Sequence, residues 1–248
     1  MEQPSFDTES VFDDDYLYFY EPLLSAEHSE AEVELIWRLL DLRPGLRVLD
    51  LACGHGRIAN RLAARGCRVT GLDITPLFLE RARYDAAELG VEVDYVHGDM
   101  RELPWTQDFD RVVNWFTAFG YFDDAGNRRV LGQIAQVLKP GGIVALDLMN
   151  RDWLVRNFQP DRLAAERGAD LIIDRSRLDS LTSIVSTERI VLRGGDVRRF
   201  QFFVRLFTFT ELREWLLAAG LTGIAGHGDG GGPLSVDSRR LIVTASLD

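Results

Sequence analysis

From residue 46 to residue 148 the chain alternates between two kinds of pattern. Short runs rich in aliphatic residues, Leu46 to Leu51, Cys67 to Leu72, Val91 to Val96, Phe109 to Trp115 and Ile143 to Leu148, are predicted as strands. Between them, Arg57 to Ala64, Pro76 to Leu89 and Ala125 to Leu138 are predicted as helices, the last stopped by Pro140-Gly141-Gly142. Strands separated by helices in this rhythm make βαβ units, so the fold class is α/β, with a doubly wound, mostly parallel sheet covered on both faces. A further helix, Ser29 to Leu42, carries Val33, Ile36, Trp37, Leu39 and Leu40 at helical spacing and ends at Pro44-Gly45.

Residues 151–207 break the rhythm. Phe200, Phe202, Val204 and Leu206 alternate with Arg199, Gln201, Phe203 and Arg205, and Gly194-Gly195 separates this run from the β-rich Ser183 to Leu192. The pattern predicts an antiparallel hairpin, or a three-stranded meander with Leu171 to Ile173 as its first strand. Thr208-x-x-Glu211 then matches a capping box before a helix with Leu212, Trp215 and Leu216, and Gly220 ends it. Strands near Gly223 to Ala225 and from Leu241 to Ala245 bring the count in the main sheet to seven. The organisation expected is an acidic and aromatic lid segment over residues 1–28, followed by one domain over residues 29–248 with an antiparallel β insertion at about 151–207. Tyr16, Tyr18, Phe19 and Tyr20 in the first segment either clamp onto the core or cover a ligand.

Composition narrows the partners. The chain has 248 residues, 46% of them hydrophobic, which supplies a real core. Its 28 Lys and Arg stand against 39 Asp and Glu, a net charge of -11, so its field disfavours nucleic acid and anionic membrane. The two cysteines, Cys53 and Cys67, fit neither a disulfide framework nor a zinc site, and a reduced, cytoplasmic setting is expected. No leader pattern or long apolar span is evident, and no His, Cys and carboxylate spacing suggests a metal. A small-molecule partner, with a possible homodimer, is the expectation.

The chemistry gathers at strand ends, where open parallel sheets bind their ligands. Asp50 with Gly54 and Gly56, then Asp73, Asp99 and Asn114, end successive strands. Gly54-x-Gly56-x-x-Ala59 fits a dinucleotide turn, where glycines let the backbone approach a ligand, and Asp73 stands where an acid accepts from a ribose diol. Asp50 discriminates between ligands. Beside a pyrophosphate it would repel, whereas S-adenosylmethionine has a ribose and adenine, no phosphate, and an ammonium beside a cationic sulfur.

Val48-Leu-Asp-Leu-Ala-Cys-Gly-His-Gly56 resembles the first motif of class I S-adenosylmethionine-dependent methyltransferases, with Ala52 where many members have glycine. Gly71-Leu72-Asp73-Ile74 is similar to the second motif, Gly98-Asp99-Met100 to the third, and Leu138-Lys139-Pro140-Gly141-Gly142 to the signature before the fifth strand. The resemblance is strong over about residues 30–150 and looser over the last helix and strand. It implies a Rossmann-like sheet whose last strand is antiparallel, and S-adenosylmethionine as cofactor. It also implies that Asp50 and the glycine turn hold the methionine end, Asp73 the ribose and Ile74 the adenine face. Asp99 would accept from the adenine amino group, Met100 would border the ring, Asn114 would meet the methionyl group, and Tyr20 would close the pocket.

The acceptor is less legible. Asn114-Trp115-Phe116-Thr117 lacks the Asn/Asp-Pro-Pro-aromatic motif of members acting on nucleic-acid amino groups, which with the acidic charge points to small-molecule biosynthesis and to N- or O-methylation. Tyr121 and His227 are the catalytic candidates: Tyr121 follows the fourth strand, and His227 titrates near neutrality in a loop expected on the ligand side. Asp229 and Arg239 are weaker candidates, and His28, His55 and His97 have no expected role. A nicotinamide-dependent oxidoreductase and a noncatalytic S-adenosylmethionine-binding module remain as alternatives.

Overall fold

The computed structural model describes residues 11–248, the side chain of Leu23 excepted; the acidic start, residues 1–10, lies outside the described residues. The main sheet contains β1 (Arg47–Leu51), β2 (Arg68–Asp73), β3 (Val93–His97), β4 (Phe109–Asn114), β5 (Leu138–Met149), β10 (Leu221–His227) and β11 (Arg240–Leu247) in the order β10-β11-β5-β4-β1-β2-β3. Strands β1 to β5 pair in parallel, and β11 runs antiparallel between β5 and β10. The order reverses at β1, so the carboxyl ends of β1, β2 and β4 open into one crevice.

Local chemistry accounts for the elements. In α1 (Asp14–Tyr20) the Asp13 carboxylate accepts from the Tyr16 N–H; in α2 (Ala26–Leu39) Ser25 caps His28 in the same way. Helix α3 (Ala59–Ala64) starts two residues later than its sequence pattern suggests, because Gly54 to Ile58 are spent in the turn after β1. Helix α4 (Pro76–Leu89) matches its predicted bounds, with proline in the first turn and Gly90 at φ 66° as its cap. Helix α5 (Asp124–Val137) precedes β5 and packs Val130, Leu131, Ile134 and Val137 into one face of the sheet, while Val33 and Ile36 of α2, with Leu40 just after it, cover the other.

The insertion is larger than its sequence suggested. After α6 (Arg151–Arg156), the strands β6 (Asp161–Arg167), β7 (Asp170–Asp179), β8 (Ile184–Arg193) and β9 (Asp196–Arg205) form a separate four-stranded antiparallel sheet. The expected meander is β7 to β9, with Gly194 and Gly195 both at positive φ in its last hairpin. Strand β6 escapes sequence reading because its run Asp-Arg-Leu-Ala-Ala-Glu-Arg lies at an edge and buries Ala165 alone. That alanine, with Ile172 and Val191, receives Phe19 of α1. The chain returns through α7 (Phe209–Ala218), where Thr208 accepts from the Glu211 N–H as expected, but the Glu211 carboxylate is drawn away to Arg205.

Candidate active site

One cavity of about 660 Å³ lies between the carboxyl ends of the parallel strands, α1 and the four-stranded sheet. At its inner end the turn after β1 is built tightly. Ala52 takes φ 60° and Gly54 φ 55°. The left-handed region costs a residue with a Cβ roughly 1–2 kcal/mol, which explains glycine as the commoner choice at the position of Ala52. The two motif glycines do different jobs. Gly54 lines the cavity, and a Cβ there would meet nothing closer than Phe78 at 3.9 Å. At Gly56 a Cβ would lie 2.2 Å from the Tyr95 hydroxyl and 2.8 Å from Ala82, so this glycine lets helix and sheet meet and does not face the cavity.

Asp73 organises the turn. Its Oδ2 accepts from the Gly54 N–H at 2.8 Å and its Oδ1 from the Thr75 N–H at 2.8 Å. Burial raises its pKa, and these backbone donors oppose the rise. Asp50 is buried deeper, with Oδ2 lacking any hydrogen-bond partner, and burial pushes its pKa up to about 7 although Arg57 pulls it down. Arg57 is also buried; its Nη1 lies 2.5 Å from Glu32 Oε2, and its Nη2 is without a hydrogen-bond partner. An orphaned carboxylate oxygen and an orphaned guanidinium nitrogen in one cavity wall fit a zwitterionic ligand, since each buried charge calls for its opposite.

Ile74 and Met100 border the same end, and Asp99 lines it while bound to Arg101, whose Nη2 lies 2.5 Å away. Burial alone would raise the Asp99 pKa, and Arg101 holds it below the usual carboxylate range. Asn114 is not in the cavity wall: it is fully buried, and its Nδ2 donates to the Leu51 carbonyl at 2.8 Å. The wall there is Trp115, Phe116 and Thr117, and the last two take φ 61° and 58°. Their amides are caught by Asp147 of β5: Phe116 N–H donates to Asp147 Oδ2 at 2.8 Å and Thr117 N–H to the Asp147 carbonyl at 3.0 Å.

The outer end is made of side chains. Tyr20 lines it, stacked on Tyr16 with ring centroids 4.6 Å apart, and Phe12 packs edge-on to Tyr121 at 5.7 Å. From β7 and β8 come Asp174 and Arg189, joined by a fork of bonds at 2.7 and 2.8 Å, their side chains 1% and 8% exposed. Arg162 adds a second donor to Asp174 at 3.2 Å. The Ser176 and Thr187 hydroxyls, 2.9 Å apart, continue the wall.

The histidines divide differently from expectation. His227 does not line the cavity; its Nε2 lies 3.2 Å from the Thr244 hydroxyl, and burial lowers its pKa. His55 does line it, and burial brings its pKa down to about 4, so it is neutral at pH 7. Tyr121 faces the cavity, and burial pushes its phenol up to about 12, leaving it protonated. Asp229 accepts from the Arg239 and Arg240 amides, a turn-holding role, and the Arg239 guanidinium lies over the Trp153 ring at 5.2 Å. Arg57, Asp174 and Arg189 were missed from sequence. Arg57 read as the first residue of a helix, although its place directly after Gly56 was the available signal; the other two carry no local signature.

Residues 48–142 match the family model of the methyltransferase domain. An uncharacterized methyltransferase of Synechocystis sp. is 35% identical over 117 residues, 46% of this chain and 53% of that protein. The chain spans about half the length of the curated relatives it matches first, 53% and 43% for the leading two. Among solved structures, the CcbJ methyltransferase from Streptomyces caelestis superposes with a TM-score of 0.76 at 24% identity, over 89% of this chain and 90% of that one. The sugar N-methyltransferase KedS8 from Streptoalloteichus sp. does so with a TM-score of 0.72 at 21% identity, over 100% of this chain and 98% of that one. Residues 48–142 thus match a methyltransferase domain, and the whole chain shares the fold of solved methyltransferases.

Proposed function

We propose that this chain transfers a methyl group from S-adenosylmethionine to a small-molecule acceptor, and that the acceptor atom is nitrogen. The observation that carries the reading is a cavity whose inner end offers Asp50, Arg57 and Asp73 and whose outer carboxylate among the described residues, Asp174, is held by two arginines. When bound, S-adenosylmethionine supplies a methyl group on a cationic sulfur. Asp50 and Arg57 would hold the ammonium and carboxylate of its methionine end, and Asp73 the ribose hydroxyls. Ile74 and Met100 would border the adenine. Asp99 would take its amino group, since a carboxylate bound to one arginine keeps further lone pairs.

The residues present favour alignment over proton abstraction. A carboxylate against the sulfur would stabilise the ground state, in which the positive charge is greatest, so the gain in rate must come from holding nucleophile and methyl in line. An amine that arrives unprotonated needs nothing more, whereas a hydroxyl acceptor gains from a base within hydrogen-bond reach. Asp174, the outer carboxylate, is engaged by two arginines, and the protonated Tyr121 is a donor at neutral pH. The fold shared with a sugar N-methyltransferase supports the same choice of atom.

The test is to incubate the protein with methyl-labelled S-adenosylmethionine and paired amine and alcohol acceptors, and to read label by mass spectrometry. Label on nitrogen, lost in Asp73→Ala, is expected. Label on oxygen alone would overturn the choice of nucleophile, and no binding of S-adenosylhomocysteine at near-millimolar concentration would overturn the cofactor.

A further inference from the structure

Behind the cavity, four charges, three of them buried, alternate across four remote parts of the chain. Arg57 of the first turn meets Glu32 of α2 at 2.5 Å; Glu32 Oε1 receives Arg240 Nη1 at 2.7 Å; Arg240 Nε reaches Asp147 Oδ1 at 2.6 Å. Asp147 then holds the Phe116 and Thr117 amides. Two ring contacts close the circuit, Arg57 over Phe116 at 5.2 Å and Arg240 over Trp115 at 5.0 Å. The Glu32 and Asp147 side chains are 5% and 1% exposed. Four charges in this place are weak evidence for stability, because well-packed apolar residues commonly do as well. What they supply is one geometry: the Arg240 guanidinium bonds both Glu32 and Asp147, and Glu32 takes Arg57 as well, only in a single register.

We infer that Glu32, Arg240 and Asp147 are positioning residues that lock the turn Phe116–Thr117, on the acceptor side, to Arg57, on the cofactor side. Two adjacent residues at positive φ without glycine are held there only because their surroundings over-determine them, and Asp147 is the group that does so. Arg57 still has Nη2 to offer. A carboxylate bound at that nitrogen draws the guanidinium between ligand and Glu32, and the Phe116 ring beneath it follows. Filling the cofactor end thereby fixes the wall on which an acceptor lies. The coupling rests on the proposed cofactor, and thermodynamics makes it reciprocal.

Hydrogen exchange of the 248-residue chain, read at the Phe116 and Thr117 amides with and without S-adenosylhomocysteine, tests it. In the wild type the ligand slows exchange there by about tenfold or more beyond its effect on the distal β6 strand. In Glu32→Gln, calorimetry gives a Kd for S-adenosylhomocysteine within about threefold of wild type, while the added protection at 116 and 117 disappears. In Arg240→Lys, which keeps the sign of every charge but not the fork, the added protection is intermediate; this variant carries the test if Glu32→Gln does not fold. Equal protection in the saturated wild type and variants overturns the proposal. So does a loss of ligand affinity in proportion to the loss of protection, which would make Glu32 a mere prop for Arg57. Failure of the wild type to bind the ligand removes the cofactor reading itself, and calorimetry separates that outcome from the others.

Discussion

The two ends of the cavity are built on opposite principles. At the inner end the ligand-facing side chains, Asp50, Arg57 and Asp73, are set by main-chain geometry close to them in sequence: the Gly54 and Thr75 amides converge on Asp73, and the turn is shaped by Ala52 and Gly54. At the outer end the wall is made of side chains that are distant in sequence, Tyr20 from α1, Tyr121 after β4, Asp174 and Arg189 from neighbouring strands of the inserted sheet. Backbone geometry tolerates many side chains around it, so the inner end is a general receptacle. A side-chain wall changes with every substitution, so on the proposed reading the outer end is where one acceptor is told from another.

The widest separation between the two ends should appear in Asp174→Ala. The variant leaves Arg189 buried and without its carboxylate, a loss of about 3–5 kcal/mol, or a Tm lower by roughly 10 °C. Calorimetry on the same variant below its melting temperature should give an S-adenosylhomocysteine affinity within about threefold of wild type. A parallel fall in affinity would mean that the ends are not independent.

A smaller effect sharpens the inner end. With the Asp50 pKa at about 7, its carboxylate is mostly protonated at pH 6 and mostly ionised at pH 8. A ligand ammonium favours the ionised form, so affinity rises with pH, by about tenfold across that range. His55, with a pKa near 4, stays neutral throughout and contributes nothing to the slope. Asp50→Asn should bind more weakly at pH 8 and show a flat profile; a persistent slope would assign the proton to another group.

The least effect belongs to the strap between α1 and the inserted sheet. Asp15 pairs with Arg193 at 2.8 Å and Arg198 at 2.7 Å, and Asp13 also pairs with Arg198. These groups are partly exposed, so Arg198→Ala should cost no more than about 1 kcal/mol, and salt should reproduce most of the effect in the wild type. Limited proteolysis before residue 26 is the measurement: faster cleavage in the variant at low salt is expected, and no difference would show that Arg198 is dispensable beside Arg193 and the contacts of Phe19.

What was legible in the sequence follows the same division. The strands and helices from Arg47 to Met149 obey a hydrophobic period that their own residues set, and the acids at their ends needed only the topology to converge. Pro76 and Gly90 marked both ends of α4. The outer end had no such local rule. Asp174 and Arg189 are neighbours only because β7 and β8 pair as Asp174 with Arg189, a register set by a hairpin whose turn says nothing about charge. His227 was drawn to attention by its side chain and its glycine-rich loop, but its ring is turned to Thr244. Asn114 ended the right strand, yet its amide was needed to join β4 to β1.

The insertion leaves the main sheet and returns to it at closely tied points. Asn150 caps α6 and donates to the Ser235 and Ser238 carbonyls, while at the far side Arg205 N–H donates to the Gly120 carbonyl. Everything between these clasps can change its surface without disturbing the register of β5, β4 or β1. On the proposed reading the inserted sheet is a cartridge: a lineage, or an engineer, can alter the part of the acceptor wall that carries Asp174 and Arg189 by replacing one continuous stretch of chain, while the turn after β1 stays as it is.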